Sequence, residues 1–163
     1  MPVLANAGFE APFAAAGACP PRWGCSVHAD GTSFRFAPEV TTATEGKQSL
    51  LVERVGTEPW ATVTQSFRAT SLRGHRIRFS LAVKTGGIDG EGAGPWLLVL
   101  GDGKVLDHQV RRVRGTRDWQ REVIELVLPD QAETFSVGAT LEGGGRAWFD
   151  EAKLEVLGPA SPR

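Results

Sequence analysis

The stretch His75-Arg76-Ile77-Arg78-Phe79-Ser80-Leu81-Ala82-Val83-Lys84 decides the fold class. Successive side chains of a strand point to opposite faces, so Ile77, Phe79, Leu81 and Val83 share one side. Arg76, Arg78, Ser80, Ala82 and Lys84 share the other. An apolar side backed by a side with two arginines describes a strand in a sheet packed on one face and wet on the other. The same period of two returns in Phe135, Val137, Ala139 and Leu141, and in Trp148, Asp150, Ala152, Leu154 and Val156. Shorter instances are Phe34 with Phe36, Leu50 with Val52, and Ala61, Val63, Gln65 and Phe67. Gly86-Gly87, Asp89-Gly90, Gly101-Asp102-Gly103 and Gly143-Gly144-Gly145 read as turns between them. No segment holds a helical period for long, and the expectation is an all-β chain of about nine to eleven strands in a sandwich or barrel.

At 163 residues the chain suffices for one well-buried core. One domain over residues 1–157 is expected, followed by a loose tail over 158–163. Net charge is −1 and the basic residues are scattered, so nucleic acid is not an expected partner. Apolar runs such as Trp96 to Leu100 are of strand length, far below the roughly 20 residues that span a bilayer. Met1-Pro2-Val3 runs into domain-like sequence without a basic and apolar leader, which gives a cytoplasmic expectation. Cys19 and Cys25 flank Pro20-Pro21-Arg22-Trp23-Gly24; they either close a small loop in an oxidising compartment or stay free thiols.

Three stretches together resemble the jelly-roll carbohydrate-binding modules of the galactose-binding-like type. The first is Asn6-Ala7-Gly8-Phe9-Glu10 with Pro21-Arg22-Trp23-Gly24, and the second is Glu45-Gly46-Lys47-Gln48-Ser49-Leu50. The third is Gly115-Thr116-Arg117-Asp118-Trp119-Gln120 with Gly143 to Asp150. The resemblance implies a jelly-roll β-sandwich of two antiparallel sheets. Gly94-Pro95-Trp96-Leu97-Leu98-Val99, Asp107 and the Gly-Thr-x-Asp-Trp pattern are similar to small bacterial modules that stand alone or are attached to transcriptional regulators and hydrolases. Leu98 occupies a position that is often arginine in them, a departure that bears on any polar ligand contact there. The cyanobacterial Stig cyclases share this kind of sandwich, which keeps an enzyme reading open, since fold does not fix function.

The resemblance also implies a structural Ca²⁺ held by Glu10, Asp150 and the backbone carbonyls around Gly46 and Lys47. Hard oxygens of this mixed kind suit the ion. Asp150 lies in phase with Trp148 and Leu154, and a carboxylate on an apolar face needs a cation or backbone donors. Of the five tryptophans, Trp23, Trp119 and Trp148 are expected in the core. Trp60 shares a phase with Thr62, Thr64, Ser66 and Arg68, where it is either a sugar-stacking platform or a cap on the core edge. Trp96 alternates with Leu98 and Leu100 in a strand apolar on both faces, which a loop covers or which lines an apolar pocket.

In the preferred reading the protein is a non-catalytic binding module for a carbohydrate or related small molecule. Trp60 stacks, Arg76 and Arg78 donate from the wet face of their strand, and Asp107 or Gln109 accepts. The rival is a small cyclase or isomerase with Trp96, Leu98 and Leu100 around an apolar ligand and Asp107 or His108 as proton donor. Adjacent strand residues point apart, so Asp107 and His108 form no dyad with each other. A cyclase of this size would be a homodimer, because a partner could supply a pocket wall; a binding module could be a monomer. A sensory or interaction module is the third reading.

Overall fold

The computed structural model describes residues 1–15 and 17–160. Among the described residues nine strands carry the fold: β1 (Gly24–Val27), β2 (Phe34–Glu39), β3 (Ser49–Arg54), β4 (Ala61–Arg68), β5 (His75–Gly101), β6 (Lys104–Val110), β7 (Val113–Val127), β8 (Thr134–Glu142) and β9 (Arg146–Pro159). All pairings are antiparallel. The 27-residue β5 belongs to both layers. Its first half pairs with β7 and β9, and β9 continues to β3 and β2. Its second half pairs with β6 and β8, and β8 continues to β4 and β1. Two five-stranded layers joined through one bent strand make the jelly-roll sandwich.

Sequence reading placed turns at Gly86-Gly87 and Asp89-Gly90, whereas these glycines bend β5 without breaking it. Gly90 and Gly92 have φ of 74° and 128°, values that a side chain resists. The register slips repeatedly between Val83 and Ala93 as the strand passes from one layer to the other. Gly101-Asp102-Gly103 is a true hairpin: Asp102 and Gly103 both have positive φ, as a tight turn matched to strand twist requires.

The core lies between the layers. Ile77, Phe79, Leu81 and Val83 from one layer are fully buried with Val63, Leu97, Val99, Phe135, Val137 and Leu141 from the other. Trp23 joins this core, stacked on Phe9 at 5.1 Å and donating through Nε1 to the Asn6 carbonyl. Cys19 and Cys25 form a disulfide at the start of β1.

Two expectations along β9 change. Glu151 has φ of 47°, and the pairing with β5 skips a residue there, from Ala82↔Asp150 to Ser80↔Lys153. This bulge reverses the phase. Ala147 and Phe149 face the core before it, and Leu154 and Val156 follow core positions Phe79 and Ile77 after it. Trp148 and Asp150 therefore lie on the outer face, out of phase with Leu154. Trp148 is half-buried, with the Lys84 ammonium 5.5 Å from its ring centroid, and Trp119 is half-buried with Nε1 on the Thr42 hydroxyl, so neither is core. The strand also runs through Gly158 and Pro159, and the Ala160 N–H bonds the Gly74 carbonyl, so residues 158–160 of the expected tail are tied to the sheet. Its residues 161–163 lie outside the described residues.

Candidate functional site

The outward phase of the β6–β5–β8–β4–β1 layer forms a cleft of about 500 Å³. Its floor follows from register. Thr62 on β4 stands opposite Thr140 on β8, which stands opposite Gly94 on β5. One rung further, Thr64 stands opposite Gly138, and Gly138 opposite Trp96. A Cβ at Gly138 would collide with the Val63 carbonyl, and one at Gly94 with that of Arg111. Glycine at both positions permits close strand approach and leaves the floor without bulk.

Trp60 and Trp96 stand at two ends of this floor. Trp60 precedes Ala61, the partner of Leu141, and so comes level with Glu142, four residues along β8 from Gly138. The two backbones are separated by about 13 Å along the strands and about 10 Å across them. Each indole meets an imidazole edge-on: Trp60 with His28 at 5.9 Å and 73°, Trp96 with His108 at 5.8 Å and 71°. His28 is anchored through Nδ1 to Glu58 Oε2 at 2.9 Å. Leu98 and Val105 add apolar area beside Trp96, and Ser26 adds a hydroxyl at the β1 edge.

Glu142 is the carboxylate in the lining. Arg112 clamps it, Nε to Oε2 at 2.7 Å and Nη2 to Oε1 at 3.2 Å. This hydrogen bonding raises the Arg112 guanidinium above its ordinary value. A carboxylate offers about four lone-pair sites, so each clamped oxygen can still accept from a ligand hydroxyl. The Thr140 hydroxyl donates to the Ala61 carbonyl at 3.2 Å, which leaves its oxygen as an acceptor toward the cleft. Neutral hydroxyls, one oriented carboxylate and two indoles can bind a polyhydroxylated molecule with apolar C–H faces.

Of the residues singled out in the sequence, Trp60, Trp96 and His108 converge here. Arg76 and Arg78 do not. They lie on the outer face of the opposite layer, where Arg78 is engaged by Glu125 at 2.9 Å and Glu155 at 3.8 Å. Asp107 and Gln109 stand opposite Val99 and Leu97, whose side chains enter the core, so both leave β6 on the side away from His108. Gln109 Nε2 donates to Asp107 Oδ1 at 3.2 Å. Only His108 of the proposed proton donors reaches the cleft. Sequence reading missed Glu142 and Arg112. The alternation of β8 puts Ser136, Gly138, Thr140 and Glu142 outward, but nothing in one sequence pairs that strand with β4 and β5.

The expected calcium residues form a separate clasp. Glu10 Oε1 accepts the Lys47 N–H at 2.9 Å, and Oε2 accepts that of Gln48 at 3.4 Å. Asp150 is fully buried under the loop between β2 and β3. Its Oδ2 accepts from the Thr44 N–H, the Thr44 hydroxyl and the Glu45 N–H, and its Oδ1 from the Glu151 N–H. Burial pushes the Asp150 carboxyl up despite these donors. Glu10, Glu45 and Glu151 line a neighbouring recess with Lys153. Hydrogen bonding to Glu151 and its charge raise Glu45, while the Thr44 hydroxyl holds Glu151 down. Among the described residues no group of three His, Cys, Asp or Glu is arranged to hold a metal ion. The carboxylates of the clasp are met instead by backbone N–H groups and the Thr44 hydroxyl, and the four bonds to Asp150 take up the acceptor sites of that carboxylate.

No family model matches the chain. An uncharacterized HTH-type transcriptional regulator, YbfP of Bacillus subtilis (strain 168), is 30% identical over 119 residues, which are 71% of this chain and 39% of the regulator. The chain spans about two fifths of that relative's length. Among solved structures, the CBM22-1 xylan-binding domain of Paenibacillus barcinonensis Xyn10C superimposes with a TM-score of 0.66 at 14% identity, over 94% of this chain and 93% of that one. TmCBM61 in complex with β-1,4-galactotriose gives 0.62 at 17%, over 94% and 97%. The C-terminal family 22 module of Clostridium thermocellum Xyn10B gives 0.60 at 19%, over 95% and 93%. The chain has the jelly-roll β-sandwich fold of these carbohydrate-binding modules.

Proposed function

We propose that the protein is a non-catalytic module that binds a carbohydrate in the cleft between Trp60 and Trp96. The observation that carries this reading is the convergence of two indoles, the threonine hydroxyls and the Arg112-clamped Glu142 on one face. A pyranose offers C–H faces to the rings and hydroxyls to the floor. The neighbours in fold that bind xylan or β-1,4-galactotriose support the ligand class. In the cyclase reading the proton donor is His108 alone, its ring set against Trp96 and without Asp107 beside it. Calorimetric titration with β-1,4-galactotriose and xylotriose tests the module. Binding by the wild type that Trp60→Ala abolishes supports it; no binding to either sugar sinks it.

The likeness to a transcriptional regulator favours a second reading, in which the same cleft senses a sugar on behalf of an attached DNA-binding segment. At the clasp, Ca²⁺ is the proposed ion, with Glu10 and Asp150 as ligands and the carbonyls of Gly46 and Lys47 completing the shell. Its role is structural, tying the first residues to β9. EDTA should then lower the melting temperature and added Ca²⁺ restore it; an unchanged melt removes the ion from the account. The Cys19–Cys25 disulfide supports an oxidising compartment against the cytoplasmic expectation. Among the described residues no helix is long and apolar enough to cross a membrane.

A further inference from the structure

Trp60 and Glu142 line a second recess as well as the cleft. This recess, of about 390 Å³, sits at the end of the sandwich and is also lined by Arg54, Pro59, Gly90 and Glu91. Its charged groups are unequally satisfied. Glu142 is clamped by Arg112, and Glu91 is met by Arg114, whose Nη2 lies 3.6 Å from Oε2 and whose Nε donates to the Glu91 carbonyl at 3.0 Å. Arg54, the last residue of β3, is different. Its guanidinium approaches Asp89 Oδ1 only to 4.0 Å, beyond hydrogen-bonding range, and that oxygen already accepts the Gly144 N–H at 2.7 Å. The side chain is 28% exposed and presents a fork of five N–H donors beside the indole.

We propose that the ligand crosses Trp60 into this recess, and that Arg54 donates hydrogen bonds to the oxygens of a further sugar unit. The inference rests on the carbohydrate reading above and narrows it to an oligosaccharide. The unit at Arg54 is a neutral, hydroxyl-rich one. Glu91, Glu142 and Asp89 balance Arg54, Arg112 and Arg114 locally, so the recess has no excess positive charge with which to hold a free anion. A single sugar ring is too short to fill both recesses, because the cleft floor alone extends about 13 Å from the level of Trp96 to that of Trp60.

The test compares galactose with β-1,4-galactotriose by calorimetry, galactose being measured by competition, on the wild type, Arg54→Ala and Arg54→Lys. The wild type should bind the triose at least about tenfold more tightly than galactose, the increment expected from hydrogen bonds to a charged donor. Arg54→Ala should lower triose affinity about tenfold while leaving the galactose affinity and the melting temperature unchanged. Arg54→Lys should keep part of that affinity, since an ammonium donates without the planar fork. If Arg54→Ala binds the triose as tightly as the wild type, the second subsite is wrong and the carbohydrate reading stands. If the wild type binds neither sugar, both fall together.

Discussion

The two outer faces of the sandwich are built by the same alternation and have opposite chemistry. On the β7–β5–β9 layer several of the outward groups satisfy one another. Arg78 lies between Glu125 and Glu155, Arg121 reaches the Ser80 hydroxyl and the Glu151 carbonyl, and Lys84 lies near the Trp148 ring while donating to Thr42. The loop between β2 and β3 closes over this face through Thr42, Thr44 and Glu45. On the β4–β8–β5 layer the outward groups are indoles, threonines and glycines around an open cleft. Polarity on a sheet face is therefore a poor guide to binding. What distinguishes a site is polar capacity that the protein leaves unused.

The largest effect expected from this contrast is on affinity. Trp96→Ala should weaken triose binding about thirtyfold, near 2 kcal/mol, the scale of a lost aromatic platform. Arg78→Ala, on the closed face, should leave affinity within about twofold of wild type. Equal losses from the two would erase the distinction.

The reverse experiment concerns stability. Arg121→Ala removes bonds to Ser80 and to the carbonyl of the bulged Glu151, and should cost about 1 kcal/mol in a denaturant melt. Triose affinity should not change. A loss of binding without loss of stability would mean that the closed face takes part in recognition.

A smaller effect should appear with pH. Burial raises the folded pKa of Asp150 above its unfolded value, so the folded state holds that proton more tightly. This contribution is fully present below the unfolded pKa, about 4, and is lost as pH rises through the raised folded value. Melts of wild type against Asp150→Asn should therefore show wild type losing relative stability from pH 4 upward. A gain over that range would mean that the Thr44, Glu45 and Glu151 donors outweigh burial.

Much of this was legible in single strands. The run from Ile77 to Val83 named its buried side correctly, and the phase of Trp60 with Thr62 and Thr64 named residues that face the cleft. Contacts set by pairing were not legible. Trp60 and Trp96 share one cleft because β8 lies between β4 and β5, and Glu142 enters through the same strand. Arg78 reads as a free donor until Glu125 and Glu155 are placed beside it by two neighbouring strands. The bulge at Glu151 carries no compositional signal, being a positive φ at a non-glycine residue, yet it moves Trp148 and Asp150 to the outer face. Alternation showed that Asp107 and Gln109 share a side, while pairing with Val99 and Leu97 decided which side.

The central claim, that ligand binds the β4–β8–β5 face, is tested most directly by amide chemical-shift mapping with β-1,4-galactotriose. The account predicts shifts concentrated at Thr62, Thr64, Trp96, Gly138, Thr140 and Glu142, with Arg76, Arg78 and the Glu10–Asp150 clasp unmoved. Shifts concentrated at Arg76, Arg78 and their strand neighbours would contradict it.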